Sequence, residues 1–287
     1  ALVFQRLSLE GYFGGLPKAV SDYDITPTLY YSDNINGGNP DKKLRLGNLE
    51  FDGEPDLVAK TGTVVGLRLS GNSRFTYGEG RYLNTSVLAS LAYSPEHSLS
   101  YTQSNLQVCS KNKVRRDAHV DICASLNKQN KEISSSDESS VTTSYSKMFL
   151  HEFGATELKI SLRQLSAQDY EQKQLTLSSD LIHTNNGFYS VGLTLGESVQ
   201  DQLATRYIFN VNAAKYYAGR KYNLSFTHGF SNGGKLLGVD RNERTNSLVI
   251  STAIRANTSL RIGYANVTSS IEYFDRSYPI VSLTRSW

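Results

Sequence analysis

An antiparallel β-barrel of about fourteen strands is the architecture this sequence predicts, and three observations predict it. Runs of roughly 10–14 residues alternate apolar and polar side chains, the period-2 signature of a sheet with one dry face and one wet face. Brief turns alternate with longer polar connections along the chain, as they do when strands are joined alternately at the two ends of a barrel. The final run, Tyr278 to Trp287, is itself strand-like and ends on an aromatic residue, with Val281, Leu283 and Trp287 on one phase.

Composition fits a barrel that crosses a membrane. The 287 residues include 18 Tyr and 11 Phe but 6 Pro, 1 Met and 1 Trp. No apolar run approaches the roughly 20 residues of a spanning helix, whereas a barrel strand needs about 9–11 with alternate ones apolar. A mean hydropathy of -0.38 is therefore expected when half of every strand faces a polar lumen. Barrels of the bacterial outer membrane close on a C-terminal strand of this kind, which the assembly machinery reads; Arg285 departs from their pattern, in which that position is apolar. The formal net charge of +3 comes without a sustained Lys/Arg run, which gives nucleic-acid binding little support, and no nucleic-acid partner is expected. Outer-membrane lipid is the expected surroundings.

Taken in order, residues 1–23 read as a lead-in or connector and residues 24–287 as the barrel. Asp24 to Ser32 is the first confident strand, and Pro27 puts it at an edge or seam, because proline cannot donate to a sheet ladder. Residues 33–62 are a long, turn-rich connection in which LRLGNLEF predicts a small inner hairpin. Strands then follow regularly, with tight turns near residues 78, 153, 185, 219 and 257. Longer loops fall near 94–100, 130–139, 196–204, 231–245 and 268–277. Ala155 to Gln164 alternates most cleanly, with Leu158, Ile160 and Leu162 opposed to Glu157, Lys159, Ser161 and Arg163. Tyr93, Tyr189, Tyr207, Tyr216, Tyr217, Tyr264 and Tyr273 fall near strand ends, where interfacial girdles lie.

Chemistry-bearing residues are few. Cys109 and Cys123 flank a turn centred on Arg116, so a hairpin there sets them opposite each other on the polar phase with Gln107, Lys111, Asp121 and Ser125. That predicts a cross-strand disulfide facing the lumen or rim, and it suits an oxidising compartment. Metal binding needs more ligands than the nearby His119 supplies, and no cofactor is expected. Barrel hydrolases place a His and a Ser on the outer wall, but His228 and Ser231 are three apart and point to opposite faces of a regular strand; no enzyme is expected. The oxygen-rich Asp33–Gly38 stretch reads as an ordinary turn rather than a calcium loop. The lumen is expected to carry Glu157, Lys159, Arg163, Arg206, Arg255 and Arg261, a mixture of both signs without a single-sign ring.

The run Leu29-Tyr30-Tyr31-Ser32-Asp33-Asn34-Ile35-Asn36 resembles the start of the barrel domain of surface lipoprotein assembly modifiers. The close, Ser269-Ser270-Ile271-Glu272-Tyr273 followed by a last strand with a terminal aromatic, is similar to that family too. The resemblance implies a conduit that translocates lipoproteins or secreted proteins across the outer membrane. It implies as partners a protein cargo and a periplasmic, upstream helical-repeat domain, and it brings no catalytic residues. Two rival expectations share the fold: a passive diffusion porin for small solutes, with residues 33–62 folded inward as a constriction, and a barrel that presents its loops to a partner.

Overall fold

Backbone amides and carbonyls have no water to bond in lipid, so a sheet that crosses a membrane must close on itself. The computed structural model, which describes residues 19–39, 42–46, 49–52, 54–255 and 258–285, shows such a closed barrel. Its fourteen strands are β1 (Ala19–Ser32), then β4 (Gly62–Gly78), β5 (Arg81–Ser94), β6 (Leu99–Arg115), β7 (Ala118–Asn130), β8 (Ser135–His151) and β9 (Gly154–Ala167), followed by β10 (Glu171–His183), β11 (Phe188–Gly196), β12 (Ala204–Tyr217), β13 (Arg220–Leu236), β14 (Val239–Arg255), β15 (Thr258–Ser269) and β16 (Arg276–Arg285). The remaining pair, β2 (Lys43–Leu46) and β3 (Leu49–Asp52), is the small hairpin expected inside the first long connection. Every neighbouring barrel pair is antiparallel; β4 to β16 pair consecutively, β1 pairs with β4 across the connection that carries β2 and β3, and β16 closes on β1.

The period-2 alternation fixes the faces. On β9, Leu162 is 64% exposed beside Ser161 at 9%, and Leu158 and Ile160 share the outward phase. The same phase continues across paired strands through Tyr145, Leu177, Val191, Leu224, Leu248, Ile250 and Ile262, each exposed. This apolar belt is the surface that lipid covers, and the inward phase is rich in Ser, Thr, Asn and Gln.

Strand β1 begins at Ala19, not Asp24. Ala19 to Tyr23 pair with Phe75 to Gly71 of β4, so these five residues belong to the barrel rather than to a connector. Val20 falls on the inward phase and the small Ser21 on the outward one, so the alternation does not show, and the ladder with β4 is what reveals the strand. Residues 1–18 of the expected connector lie outside the described residues. The segment 231–245 is likewise no loop. It forms the upper parts of β13 and β14, joined by a Leu237–Gly238 turn with both residues at positive φ, as two-residue hairpins require. At the seam, β1 meets β16 through Thr28–Thr284, Leu29–Leu283 and Tyr30–Ser282, three pairs against fourteen between β1 and β4. Pro27 therefore stands in a seam strand, as expected. Val281 and Leu283 are both on the outward phase of β16, and Trp287 lies outside the described residues.

Cys109 and Cys123 are directly paired across β6 and β7 and joined in a disulfide, with Cα atoms 4.0 Å apart. They face the lumen, between the Gln107–Ser125 and Lys111–Asp121 pairs.

Replacing Ile160, central in the belt, with arginine should destabilise the folded barrel by about 2–4 kcal/mol, read by urea titration of folding into bilayers. Because the disulfide closes a 14-residue separation, the double variant Cys109→Ser, Cys123→Ser should lose about 2–3 kcal/mol in the same titration while still inserting.

Candidate functional site: a narrowed outer mouth

The working surface of such a barrel is its lumen, and the first long connection turns into it. Ile35 is 1% exposed and packs with Val64 and Ala92 against Tyr30, Leu99 and Tyr101. Val64, Ala92, Tyr30 and Tyr101 are on the inward phase near the outer ends of their strands, so Ile35 sits inside the wall. Burial of one isoleucine contributes on the order of 2 kcal/mol toward holding the segment there.

Backbone and side-chain bonds then fix the segment. Asn36, fully buried, donates through Nδ2 to the Val58 carbonyl (2.9 Å), and its Oδ1 accepts from the amides of Lys60 (2.9 Å) and Gly38 (3.3 Å). The Ile35 amide donates to the Lys60 carbonyl at 2.8 Å, and Asn39 exchanges bonds with Leu57 and Ala59 at 2.7 Å each. The Asn-rich stretch is thus a turn, as expected, with its amides and side chains tying the two legs of the loop together.

From this clasp the loop reaches the β7–β8 connection, several strands away along the wall. The Ile133 amide donates to the Asn36 carbonyl (2.9 Å), and Lys131 Nζ donates to the Asn34 carbonyl (2.5 Å). Gly37 holds φ +79°, and a Cβ there would lie 2.1 Å from Ser134 Oγ, so this crossing requires glycine. Opposite, a cavity of about 280 Å³ separates the loop from Arg241, Glu243, Phe274 and Arg276 on the tops of β14 and β16 and the turn between β15 and β16. Arg241 Nε donates to Glu243 Oε1 at 2.8 Å, and its guanidinium lies 3.3 Å from the centre of the Phe274 ring. Pairing and stacking together hold the arginine in one orientation.

The Lys131 amine is held below the usual lysine range. Burial is the largest cause; the Asp33 carboxylate opposes it and the Arg276 guanidinium adds to it.

Deeper in the lumen, the expected charges distribute as follows. Lys159 and Lys111 flank the buried carboxylate of Asp121 at 3.7 and 3.8 Å. Glu157 is paired across the strands with Asp180, and Arg163 donates to Gln174 Oε1 at 3.5 Å. Arg261 lies between Ser251 and Ser282 on the inward phase. Arg206 falls at the bulge between Thr205 and Tyr207, with its Nη1 buried. Arg255 is not a lumen residue. A bulge between Ala253 and Arg255 sets it opposite Thr258, on the phase of the outward Leu260 and Ile262, at the inner rim. Alternation counted through a bulge assigns the wrong face, since the extra residue shifts the phase.

Arg241, Glu243, Phe274, Arg276 and Lys131 were not legible as site residues. Each lies in a segment that reads as a polar loop. The one available signal is the i, i+2 spacing of Arg241 and Glu243, which places both on one face of a strand.

No family model and no curated protein matches the sequence. Among solved structures, the chain is similar to Pseudomonas putida OprB, at 6% identity over 99% of this chain and 96% of that chain, with a TM-score of 0.52. It is also similar to a BenF-like porin from Pseudomonas fluorescens Pf-5, at 9% identity over 93% and 98% with a TM-score of 0.48. OccK10 (OpdN) of Pseudomonas aeruginosa aligns at 10% identity over 94% and 99%, again with a TM-score of 0.48. At these identities the likeness is one of fold: with the closed ladder and the apolar belt, the match to OprB gives a transmembrane β-barrel of the outer-membrane type.

Proposed function

We propose that the chain is a diffusion porin for small polar solutes, narrowed at its outer mouth. The observation that carries this reading is the leg Asn34–Asn39, turned inside the wall at Ile35, clasped to Val58–Lys60 by Asn36 and bonded to the β7–β8 connection. A porin selects by the space and charge that such a segment leaves. A conduit for lipoproteins or secreted proteins, which the resemblance to surface lipoprotein assembly modifiers implies, needs a mouth that clears for a polypeptide. The tied loop supports the porin over that conduit, and in this reading the chain requires neither cargo nor helical-repeat partner and catalyses no reaction.

The charges support a mild preference for anions. Arg68, Arg74, Lys111, Lys113, Lys159, Arg163, Lys221 and Arg261 share the inward phase with Asp22, Asp24, Asp121, Glu138, Glu157 and Asp180, a small cationic excess, and Lys131, Arg241 and Arg276 add cations at the mouth.

In a planar bilayer the purified chain should give steady open current in fixed unit steps. Asn36→Ala, which unties the loop, should raise the unit current and its flicker; an inserted barrel that stays silent would overturn the porin. The Lys131 amine, with its pKa lowered, loses its proton at a lower pH than an exposed lysine. Anion preference, read as reversal potential across a salt gradient, should therefore decline as pH rises through that lowered value, and Lys131→Ala should abolish the decline. By the same linkage, the folded mouth becomes more stable, not less, as this amine is neutralised.

A further inference from the structure

The outer wall of β12 to β16 carries polar side chains where the apolar belt ends. Above Leu248 on β14 the outward phase continues through Asn246, Arg244 and Asn242, and above Tyr264 on β15 through Asn266 and Thr268. Most of this rim satisfies itself. His228 Nδ1 donates to Asn246 Oδ1 (2.7 Å), which leaves Nε2 to accept from the Tyr207 hydroxyl at 3.1 Å. Asn266 Nδ2 donates to Ser277 Oγ at 2.9 Å. As the strand parity requires, His228 lies on the outward phase with Phe226 and Phe230, and Ser231 lies on the inward phase.

Arg244 is the exception. It is exposed on the outward phase, opposite Phe230 and Thr268, and among the described residues its guanidinium has no acceptor. It borders a cavity of about 340 Å³ with Phe230, Asn242, Thr268, Ser269 and Ser270. The nearby Asp275 carboxylate is turned away to the Ser269 amide, at 2.5 Å. An arginine on a lipid-facing wall, two outward rows above Leu248 where the belt ends on this strand, meets lipid headgroups rather than acyl chains or bulk water.

We propose that this cavity binds the phosphate of an outer-leaflet lipid. The Arg244 fork donates to two phosphate oxygens, a geometry that guanidinium matches and ammonium does not. The Thr268 hydroxyl and the Asn242 amide add neutral donors. The acyl chains run down past the His228–Asn246–Asn266 row to the outward side chains of Phe226, Leu248 and Tyr264. Charge complementarity and depth together select a phosphorylated lipid over a zwitterionic or neutral one.

The test uses the full chain folded in zwitterionic-lipid nanodiscs, titrated with diphosphorylated lipid A and with its dephosphorylated form, with bound lipid read by native mass spectrometry. Wild type should retain the phosphorylated form roughly tenfold more than Arg244→Gln does, the scale of one lost bidentate contact. The dephosphorylated form should bind wild type no better than the phosphorylated form binds Arg244→Gln. Arg261→Gln, a lumen change of equal charge, should retain the lipid like wild type, and Thr268→Val should show a smaller loss. Equal retention of the two lipid forms by wild type overturns the proposal without reference to any variant. So does a loss in Arg261→Gln as large as in Arg244→Gln. Displacement of the lipid by millimolar inorganic phosphate assigns the cavity to free phosphate and likewise overturns it.

Discussion

Closure of the backbone hydrogen-bond ladder governs everything else in this molecule. Once the sheet is closed, each side chain has two possible directions, lumen or lipid, and the ladder assigns them in strict alternation. The belt through Ile160, Leu177 and Leu248, the disulfide on the wet face, and the charges around Asp121 all follow from that assignment. A single bulge is enough to overturn it locally, as at Arg255.

This explains which parts of the fold were legible in the sequence. Where a strand has a dry face, its pattern shows: Leu158, Ile160 and Leu162 announced β9, and the symmetric placement of Cys109 and Cys123 about their turn announced the pairing of β6 with β7. Where both faces are wet, the pattern vanishes while the strand persists. The upper halves of β13 and β14 stand above the belt, so nothing distinguished Val239-Asp240-Arg241-Asn242-Glu243 from a polar loop. The first residues of β1 were missed because Val20 faces inward and Ser21 outward, against the alternation. The candidate site was less legible than the fold because it is assembled from such segments. Asn36 was visible as a turn residue; its role in clasping two legs of a loop, 24 residues apart at Lys60, depends on contacts that local pattern does not encode.

The lumen is electrostatically self-compensating rather than ringed by one sign. Asp121 is almost fully buried, and the two lysines beside it offset the cost of burying a carboxylate. At the mouth, Arg241 is similarly held between Glu243 and Phe274. Such pairing keeps long cationic side chains against the wall, and it leaves a modest surplus of positive charge facing the passage. The inserted loop works alongside this lining, contributing backbone carbonyls at Asn34 and Asn36 that are themselves occupied by Lys131 and Ile133.

The short seam bears on how the barrel is made. Twelve of the fourteen strand contacts join consecutive strands and can form as the chain zips hairpin onto hairpin, and a thirteenth, β1 with β4, closes across the first long connection. The remaining one brings Thr28 to Thr284, at opposite ends of the chain, and gains only three residue pairs for doing so. Loop-closure entropy falls almost wholly on this contact, which makes it the highest-contact-order event in the fold and the slowest to reward itself. Assembly therefore runs as a curling sheet whose ends meet last, and the rate of that final meeting sets how long the two edge strands stay open to other strands.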